Sequence, residues 1–261
     1  MSLKTRENPI DAEWRAIFGP RHEPARVIKK RTRHPTIPVN HPTKKAFRKG
    51  MIRARLPLMS DQLTHLDVTP EVIRVAEYPF AIEYQRVRDE GEFVTRTRVL
   101  DLAVLMSDGR VFVIDYEPIN IQRRKGFQRV EARTRGLVEA LEKKDATYLL
   151  LDECSIHLQP RWGNVCEIWK HAHEKGQHPG IAEIRHQIIN GALPATIGQL
   201  MRRVSPNAMT SRFAHERPEA AMAKGEFNPT YTAVLQLAAA GKVRLDYSKP
   251  FDIHSIVTRK V

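Results

Sequence analysis

Residues 99–118, VLDLAVLMSDGRVFVIDYEP, constrain the fold more than any other stretch of this 261-residue chain. They read as two apolar strands joined by a Ser-Asp-Gly-Arg turn. Asp101 lies early on the first strand, and Asp115 and Glu117 lie late on the second. Strand alternation puts Asp115 and Glu117 on one face, and the hairpin brings Asp101 close to them. Acids on such apolar strands are costly unless they are compensated, and a divalent metal ion is one candidate.

Arginines on the same strands offer a second way to compensate these acids. Arg96, Arg98 and Arg110 could hold the carboxylates in a buried cluster of ion pairs and hydrogen bonds. The sequence alone leaves both the metal site and the ion-pair cluster open.

The pattern around this hairpin predicts an α/β body. Apolar alternation and helical spacing predict strands at 72–76, 80–87, 94–106, 110–116 and 147–151, and helices at 126–143 and 162–175. Strands, a crossover helix and a further buried strand are typical of a mixed sheet flanked by helices. We therefore expect an α/β domain over residues 51–178.

The formal charge of +13 is concentrated at the beginning of the chain. Residues 1–55 hold 15 Lys and Arg against 4 Asp and Glu. After an expected helix at 8–18 the composition is rich in Pro and basic residues, which predicts a largely extended basic arm over residues 1–50. Such charge attracts nucleic acid, and an arm that is merely solvated is the alternative. The expected DNA contacts of the arm are Lys29, Lys30, Arg31, Arg33, Lys44, Lys45, Arg48 and Lys49.

Residues 179–261 form a third expected region. Helices are predicted at 181–190, 196–204 and 230–240, followed by a two-stranded hairpin. This order is typical of a winged-helix domain, with an ordinary helical packing domain as the alternative. Arg202 and Arg203 could face DNA phosphates there, although a solvated face fits them as well.

The cysteines, the beginning of the chain and the length of its apolar runs predict where the protein is found in the cell. Cys154 and Cys166 form no CxxC pair, which fits a reducing cytoplasm and gives no zinc site. The polar beginning of the chain indicates no secretory signal, and no apolar run is long enough to span a bilayer. We therefore expect a cytoplasmic protein without a membrane partner.

The hairpin acids and the crossover helix are similar to those of PD-(D/E)xK nucleases, with Leu100-Asp101 at the Pro-Asp position and Asp115-Tyr116-Glu117 at the acid-x-Lys position. The whole chain resembles the TnsA-type endonuclease subunit of heteromeric transposases. The stretches that carry this resemblance are KKAFRKGMIRARLPL, VTPEVIRVAEYPFAIEY, VLDLAV, RVFVIDYEP and LQLAAAGKVRLD.

The resemblance implies a restriction-endonuclease-like fold that cuts the 5′ ends of a mobile element with Mg²⁺. It implies an integrase-type transposase and an AAA+ ATPase as partners, with Asp101 as the central metal ligand and Asp115 as the second. Glu117 stands in place of the family's lysine, and Lys125, or else Arg123 and Arg124, in the following loop could supply a migrated positive charge. The acidic positions of the family's Glu-Ser-x-x-Glu-like helix are replaced as well, because the spacing puts Arg55 or Leu56, and Met59, there. Only Asp61, about one turn away, could substitute.

These features predict a DNA-binding protein of transposition or mobile-element excision whose catalytic site is degenerate. One alternative is an active Mg²⁺-dependent endonuclease that uses Asp101, Asp115, Glu117 and Lys125. The other is a regulator that binds DNA through the winged helix.

Overall fold

The computed structural model describes residues 11–28, 37–47, 50–87, 91–172, 180–204 and 228–260. They form mixed α/β structure, which is the expected class, divided into two compact units. The first unit comprises residues 1–63 and 71–157, and the second comprises residues 64–70 and 158–261. These limits differ from the boundaries expected at residues 50 and 178. Within the described stretches, no helix combines the length and apolar character needed to cross a bilayer.

The first unit contains a four-stranded sheet and two separate two-stranded sheets. Its strands are β1 (Val39–Pro42), β2 (Met51–Ala54), β3 (Val72–Glu77), β4 (Ala81–Val87), β5 (Phe93–Val99), β6 (Leu102–Met106), β7 (Val111–Tyr116) and β8 (Ala146–Leu151). The helices that begin in it are α1 (Ala12–Ile17), α2 (Pro57–Val68), α3 (Ile119–Lys125), α4 (Phe127–Glu142) and α5 (Glu153–Ile156). Pro57 begins α2, where proline is well tolerated because the first helical N–H needs no partner within the helix.

The central sheet has the strand order β3-β6-β7-β8. Its first three strands are antiparallel neighbours, whereas β7 and β8 are parallel and are connected through α3 and α4. The apolar runs of β6 and β7 are almost entirely buried. Gly109, with φ of 87°, adopts the left-handed conformation that the tight turn between them requires. The sheet therefore carries the predicted hairpin at its centre.

The strand predicted at 94–106 is in fact two strands, β5 and β6. The first pairs with β4 in a separate two-stranded sheet, and the second belongs to the central sheet. Pairing changes at Leu100 and Asp101: the Leu100 N–H donates to the Phe80 carbonyl at 3.3 Å, and the Asp101 carbonyl accepts from the Tyr78 N–H at 3.0 Å. This change of partner places Asp101 at a corner between two sheets.

Much of the described part of the expected arm packs into the first unit. Trp14, Ile17 and Phe18 are buried in its apolar core, and the Trp14 Nε1–H donates to the Lys144 carbonyl at 2.8 Å. The described part of the expected opening helix is therefore present as α1, and it contributes to the core. The apolar spacing within α1 anchors the chain in spite of its basic surroundings. The expected helix start, residues 8–10, lies outside the described residues.

The second unit consists of helices and a small sheet. Its elements are α6 (Arg161–Ala172), α7 (Ile181–Asn190), β9 (Ala195–Thr196), α8 (Ile197–Arg203), α9 (Pro229–Ala239), β10 (Val243–Arg244) and β11 (Ile256–Arg259). The strand β11 pairs antiparallel with both β9 and β10. Val165 and Ile168 of α6 share the apolar core of this unit. For this reason α6, expected to close the α/β body, belongs with the tail.

Candidate functional site

The hairpin brings Asp101 and Asp115 together, as its geometry predicts. The Asp101 N–H donates to Asp115 Oδ1 at 3.0 Å, and Asp101 Oδ2 accepts from the Tyr116 N–H at 3.0 Å. Both acids are buried, with exposed fractions of 1% and 0%. Two carboxylates are thus fixed side by side at the corner where β5 gives way to β6.

Arg55 neutralises Asp101 from within the chain. It lies between β2 and α2, and its Nε and Nη2 donate to Oδ1 and Oδ2 of Asp101, each at 2.6 Å. Nη2 also donates to the Tyr116 carbonyl at 2.5 Å. The pair is bidentate, which is the strongest arrangement between a guanidinium and a carboxylate. Although burial alone would lower the pKa of Arg55, the hydrogen bond and charge of Asp101 raise it.

Asp115 is held by Arg98 of β5 and by Tyr148 of β8. The Arg98 guanidinium pairs with Oδ2, and the Tyr148 hydroxyl donates to the same oxygen at 3.0 Å. Burial, and then repulsion from Asp101, raise the pKa of Asp115, and the partners only partly offset this. Arg98 is one of the three arginines that the sequence suggested as ion-pair partners of these acids. Arg110, another of the three, pairs instead with the exposed Asp108.

Glu117 lies just beyond β7 and has two basic partners. Lys125, at the end of α3, pairs with Oε1, and Arg133 of α4 pairs with Oε2. Burial would raise the pKa of Glu117, but these two hydrogen bonds outweigh it and leave the pKa below its ordinary value. The predicted candidates Glu117 and Lys125 therefore meet, in an ion pair with each other.

The three predicted metal ligands are engaged by basic groups. Asp101 faces Arg55, Asp115 faces Arg98, and Glu117 faces Lys125 and Arg133. A divalent ion placed among these carboxylates would meet strong repulsion from the guanidinium groups. Across the described stretches, no group of three or more His, Cys, Asp or Glu side chains is placed to hold a metal ion. In this arrangement the residues do not fit Mg²⁺.

An open groove of about 510 Å³ lies next to these ion pairs. The β4–β5 hairpin, the end of α3 and the face of α4 supply its walls. We refer to it as the basic groove, lined by Tyr84, Arg86, Arg98, Arg124, Lys125, Arg129, Val130 and Arg133. Six of these eight side chains are cationic. Arg98, Lys125 and Arg133 connect the groove directly to the buried carboxylates.

The DNA contacts expected from charge fall in several places. Lys29, Lys30, Arg31, Arg33, Arg48 and Lys49 lie outside the described residues. Lys44 is exposed and Lys45 is half-buried in the first unit, whereas Arg202 and Arg203 are exposed at the end of α8 in the second.

Sequence reasoning missed Arg133 and Arg86, and it assigned no role to the side chain of Arg55. For Arg133 a signal existed, since it falls on the apolar stripe that Val130, Leu137 and Leu141 form along α4. An arginine on a buried stripe indicates a buried acid nearby.

A scan of the chain against models of known protein families found no match.

Proposed function

We propose that this chain is a DNA-binding protein of transposition or mobile-element excision, in which an endonuclease-like domain binds DNA and partner proteins without cutting DNA. The bidentate pair between Arg55 and Asp101 carries this proposal. The guanidinium of Arg55 binds Asp101, the residue that the TnsA resemblance identifies as the central metal ligand. The expected partners are an integrase-type transposase and an AAA+ ATPase.

The ion pairs leave little capacity for hydrolysis. Metal-dependent nucleases need the ion to polarise the phosphate and to generate hydroxide from bound water. An arginine can stabilise negative charge, but it stays protonated and cannot accept a proton from water. Asp101 is equally unsuited as a base, because both of its oxygens already accept hydrogen bonds from Arg55.

The order of elements in the first unit supports a restriction-endonuclease-like fold. A hairpin, β6–β7, is followed by α3 and α4 and then by β8 parallel to β7. Asp101 precedes the first strand of this hairpin and Asp115 is near the end of the second. The acids of the PD-(D/E)xK pattern occupy corresponding places, so this domain is proposed to have kept the framework while losing the metal.

The second unit supports a winged-helix domain with an atypical binding surface. Its helices α7, α8 and α9 are followed by β10 and β11 in the expected order, and β9, a strand that was not expected, precedes α8 and pairs with β11. Most of α9 is buried, however, which leaves it little surface for reading a DNA groove. We place the DNA-facing surface of this unit at the end of α8, where Arg202 and Arg203 are exposed. A regulator that reads DNA through α9 is therefore the weaker alternative.

Two measurements on the full chain test this function. We expect a fluorescent duplex to bind with an affinity that falls steeply as salt rises. With Mg²⁺ or Mn²⁺, supercoiled plasmid should be nicked no faster by the wild type than by an Asp101→Asn variant. Metal-dependent cleavage that Asp101→Asn abolishes would show an active endonuclease, and absence of duplex binding would also overturn the proposal.

A further inference from the structure

The basic groove is lined mainly by positively charged side chains, unlike an ordinary small-molecule site. Its volume of about 510 Å³ is in the range of ligand pockets, roughly 300–1,000 Å³, but those are lined mainly by apolar side chains. Here Tyr84 and Val130 are the two lining residues without a positive charge among those described. A groove of this kind is suited to a ligand with several negative charges.

Two buried donors point to the same kind of ligand. Among the described residues, the Nε atoms of Arg86 and Arg133 are buried and meet no hydrogen-bond acceptor. Buried donors are nearly always paired, because an unpaired one loses the hydrogen bonds that water would give it. Both arginines line the basic groove. An anion bound in the groove would place negative charge beside these two guanidinium groups, whose Nε donors find no acceptor among the described residues.

Glu117 holds part of this surface in position. It accepts from Lys125 and from Nη2 of Arg133. Asp115 fixes Arg98 in the same way. Long basic side chains normally lose rotamer freedom when they bind a ligand, and these anchors reduce that cost.

A chain of phosphates fits the groove better than one isolated anion. Arginine forks match phosphate oxygens well, and here five arginines and one lysine share one groove. A nucleic-acid strand supplies one phosphate about every 3.4 Å along the helix axis, so neighbouring phosphates can meet several of these side chains at once. An acidic peptide also carries multiple charges, but the basic character of the whole chain, +13, favours nucleic acid.

We infer that the basic groove binds the sugar–phosphate backbone of DNA at two or more phosphates. This inference rests on the proposed function, because DNA is the ligand assigned there. It adds a DNA-binding surface separate from the arm and from α8, and it gives the ion pairs of Asp115 and Glu117 a role in holding DNA-contacting arginines.

The test compares two double variants that remove the same charge. Arg124→Gln with Arg129→Gln removes two exposed groove cations. Arg123→Gln with Arg135→Gln removes two exposed cations from the same helices that do not line the groove. Binding of a labelled duplex is measured by fluorescence anisotropy over a range of salt concentrations. Arg124→Lys with Arg129→Lys keeps the charge, and thermal unfolding confirms that every variant is folded.

We expect the groove variant to lose about tenfold or more in duplex affinity and to lower the slope of log K against log salt by about two. The control pair should change affinity by less than about twofold, and the lysine pair should retain most of the slope. Equal losses in the groove and control variants would overturn the groove inference while leaving the proposed function intact. Absence of duplex binding by the wild type would overturn both.

Two further probes identify the source of the anion. Inorganic tripolyphosphate and a poly-glutamate peptide are titrated against the wild type and the groove variant. Weaker binding of both than of the duplex supports a DNA backbone. Tighter binding of either probe, lost in the groove variant, would assign the groove to free polyphosphate or to an acidic protein and overturn the inference.

Discussion

The guanidinium of Arg55 meets both carboxylate oxygens of Asp101, each at 2.6 Å, so the positive charge that this acid requires comes from the chain itself. The Asp101 side chain is 1% exposed and that of Arg55 is 22% exposed. Water therefore screens the pair poorly, and either partner alone would be an uncompensated charge. We therefore expect the identity of residue 55 to affect both the stability of this corner and its affinity for metal ions.

Replacing Arg55 should destabilise the first unit strongly. We expect Arg55→Met to lower the free energy of unfolding by about 3–5 kcal/mol, because Asp101 stays buried without its partner. The matched control is Arg110→Met, which breaks the exposed pair with Asp108 and should cost about 0–1 kcal/mol. Urea unfolding measures both. Adding Asp101→Leu to the Arg55 variant should recover part of the loss, and equal costs for the two single variants would contradict the prediction.

Reversing the charge at the same position should create a metal site. Arg55→Glu puts a third carboxylate beside Asp101 and Asp115, and a divalent ion can then replace the missing guanidinium. We expect Mn²⁺ or Mg²⁺ to raise the melting temperature of this variant, equivalent to about 2.7 kcal/mol when the ion is at a hundred times its Kd. Arg55→Gln should respond no more than the wild type. A wild type stabilised as strongly as Arg55→Glu would show that the native carboxylates already bind metal.

Glu117 should contribute to the acid sensitivity of the fold. Burial opposes its charge, but Arg133 and Lys125 hold its pKa below the ordinary value of 4.5. As pH falls, the Glu117 carboxylate therefore takes up a proton in the unfolded chain before it does so in the folded protein. Its contribution to stability is complete above pH 4.5 and is lost as pH falls through its folded-state pKa. We expect Glu117→Gln to be less stable than the wild type at neutral pH and to lose less stability below pH 4.5. Glu139→Gln, at an exposed position of α4, should keep the wild-type pH profile; equal profiles for the two variants would contradict the prediction.

The contacts that the sequence predicts here are the local ones. A hairpin dictates that Asp101 and Asp115 meet, and Arg98 could be named as a partner because it lies on the predicted strand that leads into Asp101. Arg55 and Arg133 come from elements outside these strands, the end of β2 and α4. Their approach depends on how β2 and α4 pack against the sheet, and no local pattern specifies that packing.

The beginning of the chain shows a different limit. Its charge excess, averaged over fifty residues, predicts an extended arm, yet Trp14, Ile17 and Phe18 are buried in the core. Three apolar residues at helical spacing are enough to anchor a short helix, because each large side chain contributes about 1.5–3 kcal/mol on burial. The sequence predicts the helix at 8–18, but composition over a long window does not show that its apolar residues join the core.

Gly136 determines how closely α4 can approach β4. A Cβ added there would lie 2.1 Å from the Gln85 carbonyl oxygen and 3.1 Å from the Tyr84 ring. Alanine favours a helix by about 1 kcal/mol over glycine, but moving backbone to relieve this overlap should cost about 1–3 kcal/mol or more. We therefore expect Gly136→Ala to lower the free energy of unfolding.

The helical control for this substitution is Gly163→Ala in α6, where the added Cβ would approach only the flexible end of Gln159, at 3.3 Å. Urea unfolding should show this variant unchanged or slightly more stable. Because Tyr84 and Arg86 lie on β4 and line the basic groove, displacement of α4 should also weaken duplex binding in Gly136→Ala and leave it intact in Gly163→Ala. A Gly136→Ala protein as stable as the wild type would mean that α4 and β4 separate at little cost, and that the groove walls are not held at a fixed distance.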